Sequence, residues 1–394
     1  MTRGTGTIGR KTRMQSRSVK ASHQQAMRYL SGNEAAAEGA LAAGCRFYAG
    51  YPITPSSELM ERMASRLVEE CGVFIQMEDE IASICSVLGA SWAGAKAMTA
   101  TSGPGFSLMQ EALGYAAFTE TPCVVVDVQR AGPCTGQATR VGSGDIMQAK
   151  WGSHGDYPII ALSPWSVQEM YDLTIRAFSL SERFRVPVVL LADEAVAHLR
   201  ESIRMQRRVE VWNRKKAKGA APFDTDDADG VPPMPAFGEG ERLAVTGSTH
   251  DPYGFRKTDD GKVHARLVAR INEKILRGTE LIVETEEYQM EDAEVALIAY
   301  GFTARTCLYA VKRSRKEGVR AGMLRLKTLW PFPEKAVAEA GNRVRAILVP
   351  EMNRGQVAGE ARKYCACEIV SYWQTDGETI HPNEILERLR RMGS

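Results

Sequence analysis

The chain has 394 residues, of which 44% are hydrophobic and 25% charged, a balance typical of globular proteins with room for two or three domains. Its 50 basic and 48 acidic side chains give a net charge of +2, so composition does not favour nucleic acid or an anionic membrane as the main partner. No stretch approaches the ~18 apolar residues of a membrane helix, and we expect a cytoplasmic protein.

Residues 1–29 carry seven basic side chains and no acidic one, which predicts a flexible basic arm. An organelle presequence or an RNA-binding tail are the alternatives. The arm contains GTGTIG at 4–9, which matches the dinucleotide pattern G-x-G-x-x-G. Because this stretch precedes every candidate strand and has no βαβ context, we do not expect it to bind a nucleotide.

The eight cysteines include no C-x-x-C pair, a distribution typical of reduced thiols in a cytoplasmic protein. The chain is therefore poorly equipped to hold zinc or an iron–sulfur cluster by itself. Cys365 and Cys367 are close in sequence, but alternation along a strand explains them as well as a ligand pair does.

Apolar runs alternate with helical patterns from residue 30 to 203, which predicts a parallel sheet with helices on both faces. The candidate strands are 45–51, 73–77, 96–101, 122–128, 157–162 and 187–192, and the candidate helices are 34–43, 56–70, 80–94, 105–117 and 166–184. Prolines and charge blocks make residues 204–290 a linker or surface excursion containing one helix. Strands at 295–301, 321–327 and 346–352 then predict a smaller α/β domain over 291–394.

Ligands of parallel sheets bind in the turns after the carboxyl ends of the strands. Four unusual turns fall there, at 50–57, 78–81, 102–105 and 130–145. The second places Glu78, Asp79 and Glu80 at a helix N-terminus, where acids cap the helix or, if one faces a cavity, hold a proton against a heterocyclic nitrogen. Ser102 and Gly103 occupy the third turn, and Arg130 in the fourth could bind a carboxylate or lie in solvent.

Eight stretches resemble the alpha subunits of the 2-oxoacid:ferredoxin oxidoreductases, most closely those of the 2-oxoglutarate type. In order they are GNEAAAEGALAAGCRFYAGYPITPSSE, MEDEIAS, ATSGPGFSLM, QRAGPCTG, FRVPVVLLADE, GSTHDPYGFR, LKTLWPFP and VPEMNRGQ, and they extend over about residues 30–392. The resemblance implies a pyrimidine-binding domain of a thiamine diphosphate enzyme over 30–203 and a transketolase C-terminal-like domain over 291–394. It also implies a beta subunit that holds the diphosphate, Mg²⁺ and a [4Fe-4S] cluster, with gamma and delta subunits in some complexes.

The resemblance also implies roles for individual residues. Glu80 matches the glutamate that hydrogen-bonds the aminopyrimidine ring of the cofactor. Thr54 and Pro52, in the Y-P-I-T-P motif, are expected beside the substrate and the cofactor, and Ser102 with Gly103 beside the cofactor. Arg130 resembles the arginine that holds the substrate carboxylate, and Arg46 is a more speculative contact for a second carboxylate.

The implied reaction is oxidative decarboxylation of a 2-oxoacid with CoA, the electrons passing through an iron–sulfur partner to ferredoxin. A branched-chain or aryl 2-oxoacid, or NAD as final acceptor, is the alternative within this chemistry. A non-catalytic scaffold subunit and a sugar-converting thiamine enzyme are alternatives outside it. Cys134 and Gln137 depart from the usual GGPSTGLPT stretch, a change that we expect to affect the substrate pocket.

Overall fold

The computed structural model describes Met1, residues 26–206 and residues 209–393. The GTGTIG stretch and most of the predicted arm lie outside this part of the chain. Residues 26–29, which the sequence assigned to the arm, instead begin a strand, β1 (Ala26–Ser31). It pairs antiparallel with Arg200–Met205, so this end of the arm belongs to the folded domain.

The first half of the chain alternates strands and helices as predicted. After β1 the helices are α1 (Gly32–Ala42), α2 (Ser57–Glu69), α3 (Glu80–Trp92), α4 (Gly103–Leu108), α5 (Gln110–Phe118), α6 (Ile146–Trp151), α7 (Val167–Phe184) and α8 (Glu194–His198). The strands are β2 (Phe47–Gly50), β3 (Val73–Gln76), β4 (Ala97–Thr101), β5 (Cys123–Ala131), β6 (Gln137–Val141), β7 (Ile160–Leu162), β8 (Pro187–Asp193) and β9 (Arg200–Met205). The single helix expected over 105–117 is two helices, and β6, β9, α6 and α8 were not predicted.

The second half contains a helical region followed by a smaller α/β unit. Its helices are α9 (Gly261–Arg277), α10 (Thr279–Ile282), α11 (Gly301–Lys316), α12 (Glu334–Arg343), α13 (Gln356–Ala361) and α14 (Pro382–Gly393). Its strands are β10 (Thr285–Tyr288), β11 (Val295–Ala299), β12 (Ala321–Leu326), β13 (Thr328–Trp330), β14 (Ala346–Glu351) and β15 (Glu368–Trp373).

Besides the two-stranded sheet of β1 and β9, two larger sheets organise the described residues. The first has the order β13-β7-β8-β5-β4-β2-β3, with β6 paired to β5, and the second has the order β10-β12-β11-β14-β15. From β7 to β3 the neighbouring strands are parallel, which confirms the predicted fold class. β13 follows β12 directly in sequence but pairs antiparallel with β7, so the chain passes from the second sheet into the first and ties them together.

The segment before α9 is not the surface excursion that its composition suggested. Phe223, Met234 and Trp92 form a buried apolar cluster that covers one end of α3. Beneath it, the fully buried Arg185 guanidinium donates to the backbone carbonyls of Pro222 and Pro233 at 2.6 and 3.0 Å. The prolines remove backbone donors, and their free carbonyls serve as acceptors for this buried cation.

A buried ion cluster fixes α9 to the connection between α5 and β5. Glu120 is fully buried and accepts hydrogen bonds from Lys274 Nζ at 2.7 Å and from Arg270 Nη1 at 2.9 Å. Burial alone raises the pKa of Glu120, but Lys274 and Arg270 outweigh it and hold that pKa well below the usual range. Burial lowers the pKa of Lys274 to about 8. None of the helices in the described part of the chain is long and apolar enough to span a membrane.

Candidate active site

The four turns singled out in the sequence meet at one edge of the first sheet. They follow β2, β3, β4 and β5, which lie side by side and parallel in the order β3-β2-β4-β5. Because carboxyl ends of parallel strands share an edge, residues 50–57, 78–81, 102–105 and 130–145 line a common surface, as predicted.

In the loop after β2, Thr54 is exposed to solvent. Hydrogen bonds from Ser56 and Asn33 hold the backbone of the loop. The side chains of Pro52 and Thr54 are exposed, whereas Pro55 and Ser56 are buried. Ser56 Oγ donates to the Ile53 carbonyl at 2.9 Å, and Asn33 Nδ2 of α1 donates to the Pro55 carbonyl at 2.9 Å. Asn33 is therefore a supporting residue that the sequence did not reveal, since nothing in an alanine-rich helix marks it.

The three carboxylates in the turn after β3 differ in their contacts and in their burial. Asp79 is the N-cap of α3, and its side chain accepts a hydrogen bond from Ala82 N at 2.7 Å. Glu78 is exposed, but Glu80, the first residue of α3, is only 5% exposed. Capping thus explains Asp79 and leaves Glu80 to be explained by another requirement.

Glu80 points into the turn that follows β4. A Cβ atom at Gly105 would lie 2.2 Å from both Glu80 Oε1 and Thr101 Oγ1, so only glycine leaves room for the carboxyl group there. Burial raises the pKa of Glu80, its own backbone N–H opposes that rise, and the charge of Asp79 adds to it. A carboxyl group in this environment holds or shares a proton more readily than an exposed one does.

Ser102 and Gly103 lie beside Glu80 at the start of α4. Ser102 is its N-cap, is fully buried, and has a hydroxyl without a hydrogen-bond partner among the described residues. Gly103 faces Asp145, whose Oδ2 lies 3.4 Å from where a Cβ atom of Gly103 would be. The unpaired hydroxyl and the bare backbone are features of a surface that receives a ligand.

Arg130 links the fourth turn to the first. It is 7% exposed, and its Nη1 donates to the backbone carbonyl of Thr54 at 2.7 Å. Its Nε is buried without an acceptor within the described residues. The structure therefore brings Arg130 and Thr54 together and leaves part of the guanidinium fork free for an anion.

Arg46 is not part of this arrangement. It precedes β2, whereas Thr54 follows that strand, so the two residues lie at opposite ends of it. Its guanidinium donates to the carbonyls of Cys45 and Leu41 and pairs with Glu70 at 3.0 Å. We therefore withdraw Arg46 as a contact for a second carboxylate: a spacing of eight residues spans the strand instead of closing a turn.

A cavity of about 650 Å³ opens beside Arg130, between the two sheets. The first sheet contributes the turns after β4 and β5, and the second contributes the loop after β14 with Asn353 and Arg354. Cys134, one of the two departures from the related stretch, lines this cavity. Gln137 instead lies against Gly377 of the second unit, with its Oε1 2.3 Å from where a Cβ of Gly377 would be.

Residues 38–270 match the family model described as pyruvate flavodoxin/ferredoxin oxidoreductase, thiamine diphosphate-binding. The chain belongs to this family. Residues 293–385 match the model for core domain II of pyruvate:ferredoxin oxidoreductase, so the second unit has a family counterpart as well. Members of the family are subunits of oxidoreductases, and thiamine diphosphate is the cofactor of the domain matched by the first model.

Among curated relatives, the 2-oxoglutarate synthase subunit KorA of Methanothermobacter thermautotrophicus is 50% identical over 370 residues, covering 92% of this chain and 98% of the relative. KorA of Methanocaldococcus jannaschii is 48% identical over 364 residues, covering 91% and 97%. The ketoisovalerate oxidoreductase subunit VorB of M. thermautotrophicus is 36% identical over 374 residues, covering 93% and 98%.

Among solved structures, the 2-oxoglutarate:ferredoxin oxidoreductase of Magnetococcus marinus, with 2-oxoglutarate, coenzyme A and succinyl-CoA bound, superposes with a TM-score of 0.90. It is 33% identical and the match covers 94% of this chain, which spans 66% of the length of that protein. A split-gene transketolase matches with a TM-score of 0.55 at 11% identity, covering 92% of this chain and 97% of that one, and shows a shared fold alone.

The residues at the sheet edge fit the cofactor of the family. Glu80 offers a buried carboxyl group, Gly105 makes room for that group against the turn after β4, and Ser102 offers a hydroxyl without a partner among the described residues. Within residues 26–206 and 209–393, no three side chains of His, Cys, Asp or Glu are arranged to hold a metal ion. The described surface can therefore receive a polar heterocycle, but it presents no cluster of ligands for a divalent cation.

Proposed function

We propose that this chain is the alpha subunit of a thiamine diphosphate-dependent 2-oxoacid oxidoreductase that converts 2-oxoglutarate and CoA to the acyl-CoA and CO₂. Two electrons leave through an iron–sulfur partner to ferredoxin. The observation that carries the proposal is Glu80, a carboxyl group buried at a helix start and packed against Gly105, where only glycine leaves room for it. The relatives named for 2-oxoglutarate support the choice of substrate.

Glu80 is proposed to hydrogen-bond a ring nitrogen of the cofactor. Because burial raises its pKa, it retains a proton more readily than an exposed glutamate does, and it can share that proton with a heterocycle. Thiamine diphosphate, when bound, supplies the carbon nucleophile that attacks the 2-oxo carbon. Ser102 and Gly103 would form the neighbouring wall, and Pro52 would shape the loop that carries Thr54.

Thr54 and Arg130 are proposed to hold the substrate carboxylate. The Thr54 hydroxyl is exposed at the sheet edge, and Arg130 already contacts the Thr54 backbone, so both groups can reach one anion. The exposed hydroxyl can donate one hydrogen bond and the guanidinium fork two, which suits a carboxylate. The Nε of Arg130 is buried and has no acceptor among the described residues.

A beta subunit that holds the diphosphate, Mg²⁺ and a [4Fe-4S] cluster is proposed to cover the edge beside Glu80. On the exposed face of α3, Ile81, Cys85 and Gly89 recur every four residues and form an apolar stripe. β3, the outermost strand of the first sheet, adds Val73 and Ile75, which are 50% and 39% exposed. Exposed apolar groups beside a cofactor site that lacks its diphosphate-binding part are typical of an obligate interface. Gamma and delta subunits are proposed as further members.

We also propose the domain division, with a pyrimidine-binding domain over 30–203, a region over 204–290 that packs against it, and a transketolase C-terminal-like domain over 291–394. The pairing of β1 with β9 extends the first domain to residues 26 and 205. The family models match 38–270 and 293–385, so much of the region over 204–290 lies within the first match.

Glu80→Gln in the assembled complex tests the proposal. Glutamine keeps the shape but cannot exchange the proton, so we expect kcat to fall roughly 10²-fold or more while subunit assembly persists. Glu78→Gln, an exposed neighbour in the same turn, is the matched control and should retain wild-type turnover. Near wild-type kcat in Glu80→Gln would remove Glu80 from the mechanism and reopen the scaffold alternative.

A further inference from the structure

The side-chain amide of Asn33 holds the loop that carries Thr54. Asn33 is fully buried in the first turn of α1, and its Nδ2 donates to the Pro55 carbonyl at 2.9 Å and to Glu58 Oε2 at 3.2 Å. A carbonyl and a carboxylate are both acceptors only, so an amide nitrogen fits between them and a second carboxylate does not. Because Arg130 binds the Thr54 carbonyl, the loop is tied at two successive residues.

The start of α1 is itself fixed, so the backbone of Asn33 has little freedom. Ser31 and Glu34 form a capping box, in which Ser31 N donates to Glu34 Oε2 at 2.7 Å. A Cβ atom at Gly32 would lie 2.2 Å from the carbonyl oxygen of Val196, so glycine allows α1 to pack closely against α8. The loop is therefore anchored to a well-packed helix start.

His198, the last residue of α8, balances the charge of Glu58. Its Nδ1 is hydrogen-bonded to Glu194 Oε1 at 2.9 Å, and its Nε2 lies 3.5 Å from Glu58 Oε2. Nε2 makes no hydrogen bond among the described residues, so this second contact acts through charge and requires a protonated ring. The hydrogen bond to Glu194 raises the pKa of His198, burial opposes the rise, and the charge of Glu58 adds to it. The ring thus stays protonated at a higher pH than an isolated histidine does.

Glu58 lines a pocket of about 440 Å³ where α1, α2 and α8 meet. The two arginines that line the same pocket have other partners, since Arg200 pairs with Glu34 and Arg62 pairs with Glu38. Among the residues that line this pocket, the histidine of α8 is therefore the cation that remains to balance Glu58. A series of contacts thus leads from α8 through Glu58 to the loop.

We propose that Asn33, Glu58 and His198 are positioning residues for the substrate carboxylate. Asn33 fixes the backbone at Pro55, one residue after Thr54. Glu58 orients the amide of Asn33, and His198 holds the carboxylate of Glu58 in place. This inference rests on the proposed role of Thr54 as a contact of the substrate carboxylate. The three residues act on substrate binding only through the placement of the Thr54 hydroxyl.

The test is steady-state kinetics of the assembled complex with 2-oxoglutarate at saturating CoA. Asn33→Asp keeps the size of the side chain but replaces the donor by an acceptor, so we expect KM to rise roughly tenfold with little change in kcat. Glu58→Ala should raise KM by about threefold, because its side chain is 50% exposed. Glu58→Gln keeps an acceptor for Asn33 and should recover most of that loss. Glu61→Ala, at an exposed position of the same helix, is the matched control and should behave as wild type.

Double-mutant cycles separate positioning from a general structural role. Thr54→Val keeps the shape of the side chain without its hydroxyl, so the effect of Asn33→Asp on KM should largely disappear in the Thr54→Val background. His198→Ala should raise KM in the wild-type background and leave it unchanged in Glu58→Gln, which has no charge for the histidine to balance.

Full additivity of Asn33→Asp and Thr54→Val would overturn the inference and leave Thr54 as a carboxylate contact. A KM that Thr54→Val leaves unchanged would instead reject the proposed role of Thr54, and the positioning with it. If Asn33→Asp does not fold, the exposed Glu58 decides: wild-type KM in Glu58→Ala would overturn the inference. An effect of His198→Ala that is equally large in Glu58→Gln would remove His198 from the series.

Discussion

Gly105→Ala tests whether activity requires the Glu80 carboxyl group to lie against Gly105. The added methyl would lie 2.2 Å from Glu80 Oε1 and Thr101 Oγ1, whereas carbon and oxygen atoms in contact need more than 3 Å. One group must retreat by roughly 1 Å, and Thr101, fully buried in β4, has little freedom. We therefore expect the Glu80 carboxyl group to be displaced from its position.

Two opposing effects set the change in the free energy of unfolding. Alanine improves the helix by up to about 1 kcal/mol relative to glycine, but overpacking costs about 1–3 kcal/mol, so the free energy of unfolding should fall by at most about 3 kcal/mol. A displacement of about 1 Å at a positioned catalytic group lowers turnover on the order of 10²-fold. Activity should therefore fall much further than stability.

The assay is 2-oxoacid-dependent reduction of a viologen dye by the assembled complex, together with urea unfolding of the chain. Gly359→Ala is the matched control, because Gly359 also lies in a helix and has open space where its Cβ would be. It should leave turnover unchanged. Wild-type turnover in Gly105→Ala, with stability lowered as expected, would show that Glu80 need not be held at this position and would refute the reasoning.

Two further substitutions test the interface and the core. Gly89→Arg places a charged side chain at the C-terminal end of the apolar stripe of α3, where the free chain has open space, so we expect an intact chain that no longer copurifies with its beta subunit. Glu120→Gln leaves Lys274 and Arg270 without their buried counter-charge, and we expect urea unfolding to show a loss of about 3–5 kcal/mol at pH 7.

These two predictions have controls on the same chain. Gly359→Arg should copurify normally, since Gly359 lies on another helix; failure of both glycine variants to assemble would mean that α3 is not the interface. Because the folded-state pKa of Glu120 is depressed, its contribution exists above the ordinary glutamate pKa and disappears as pH falls below it. If the loss of unfolding free energy in Glu120→Gln persisted unchanged under acid conditions, that assignment would be contradicted. The control Glu280→Gln, at an exposed position, should show no loss of unfolding free energy at any pH.

Local patterns predicted the order of many strands and helices, because apolar runs and helical periodicity depend only on residues that are close in sequence. The turn with Glu80 could be located for the same reason, but the pattern of three acids could not decide which of them is buried. The resemblance selected Glu80, and the structure shows why the three differ: Asp79 caps the helix and Glu78 is exposed.

Contacts between distant segments could not be predicted in this way. β13 leaves the second sheet to pair with β7, and the prolines after residue 221 accept hydrogen bonds from Arg185, although their composition resembles that of a linker. Asp127 carried a weak signal, since it is an acid inside an apolar strand. The loop at 143–145 that follows it in the chain is held by Asn353 and Gln356 of the second unit, more than 200 residues away, and no local period encodes that meeting.

The measurement that tests the central proposal most directly is the activity of the chain copurified with its beta subunit on a panel of 2-oxoacids. The account predicts viologen reduction that requires thiamine diphosphate and CoA together and has its highest kcat/KM with 2-oxoglutarate. A complex that loads thiamine diphosphate but reduces no dye with any 2-oxoacid would contradict the proposed reaction, and a higher kcat/KM for a branched-chain 2-oxoacid would contradict the proposed substrate.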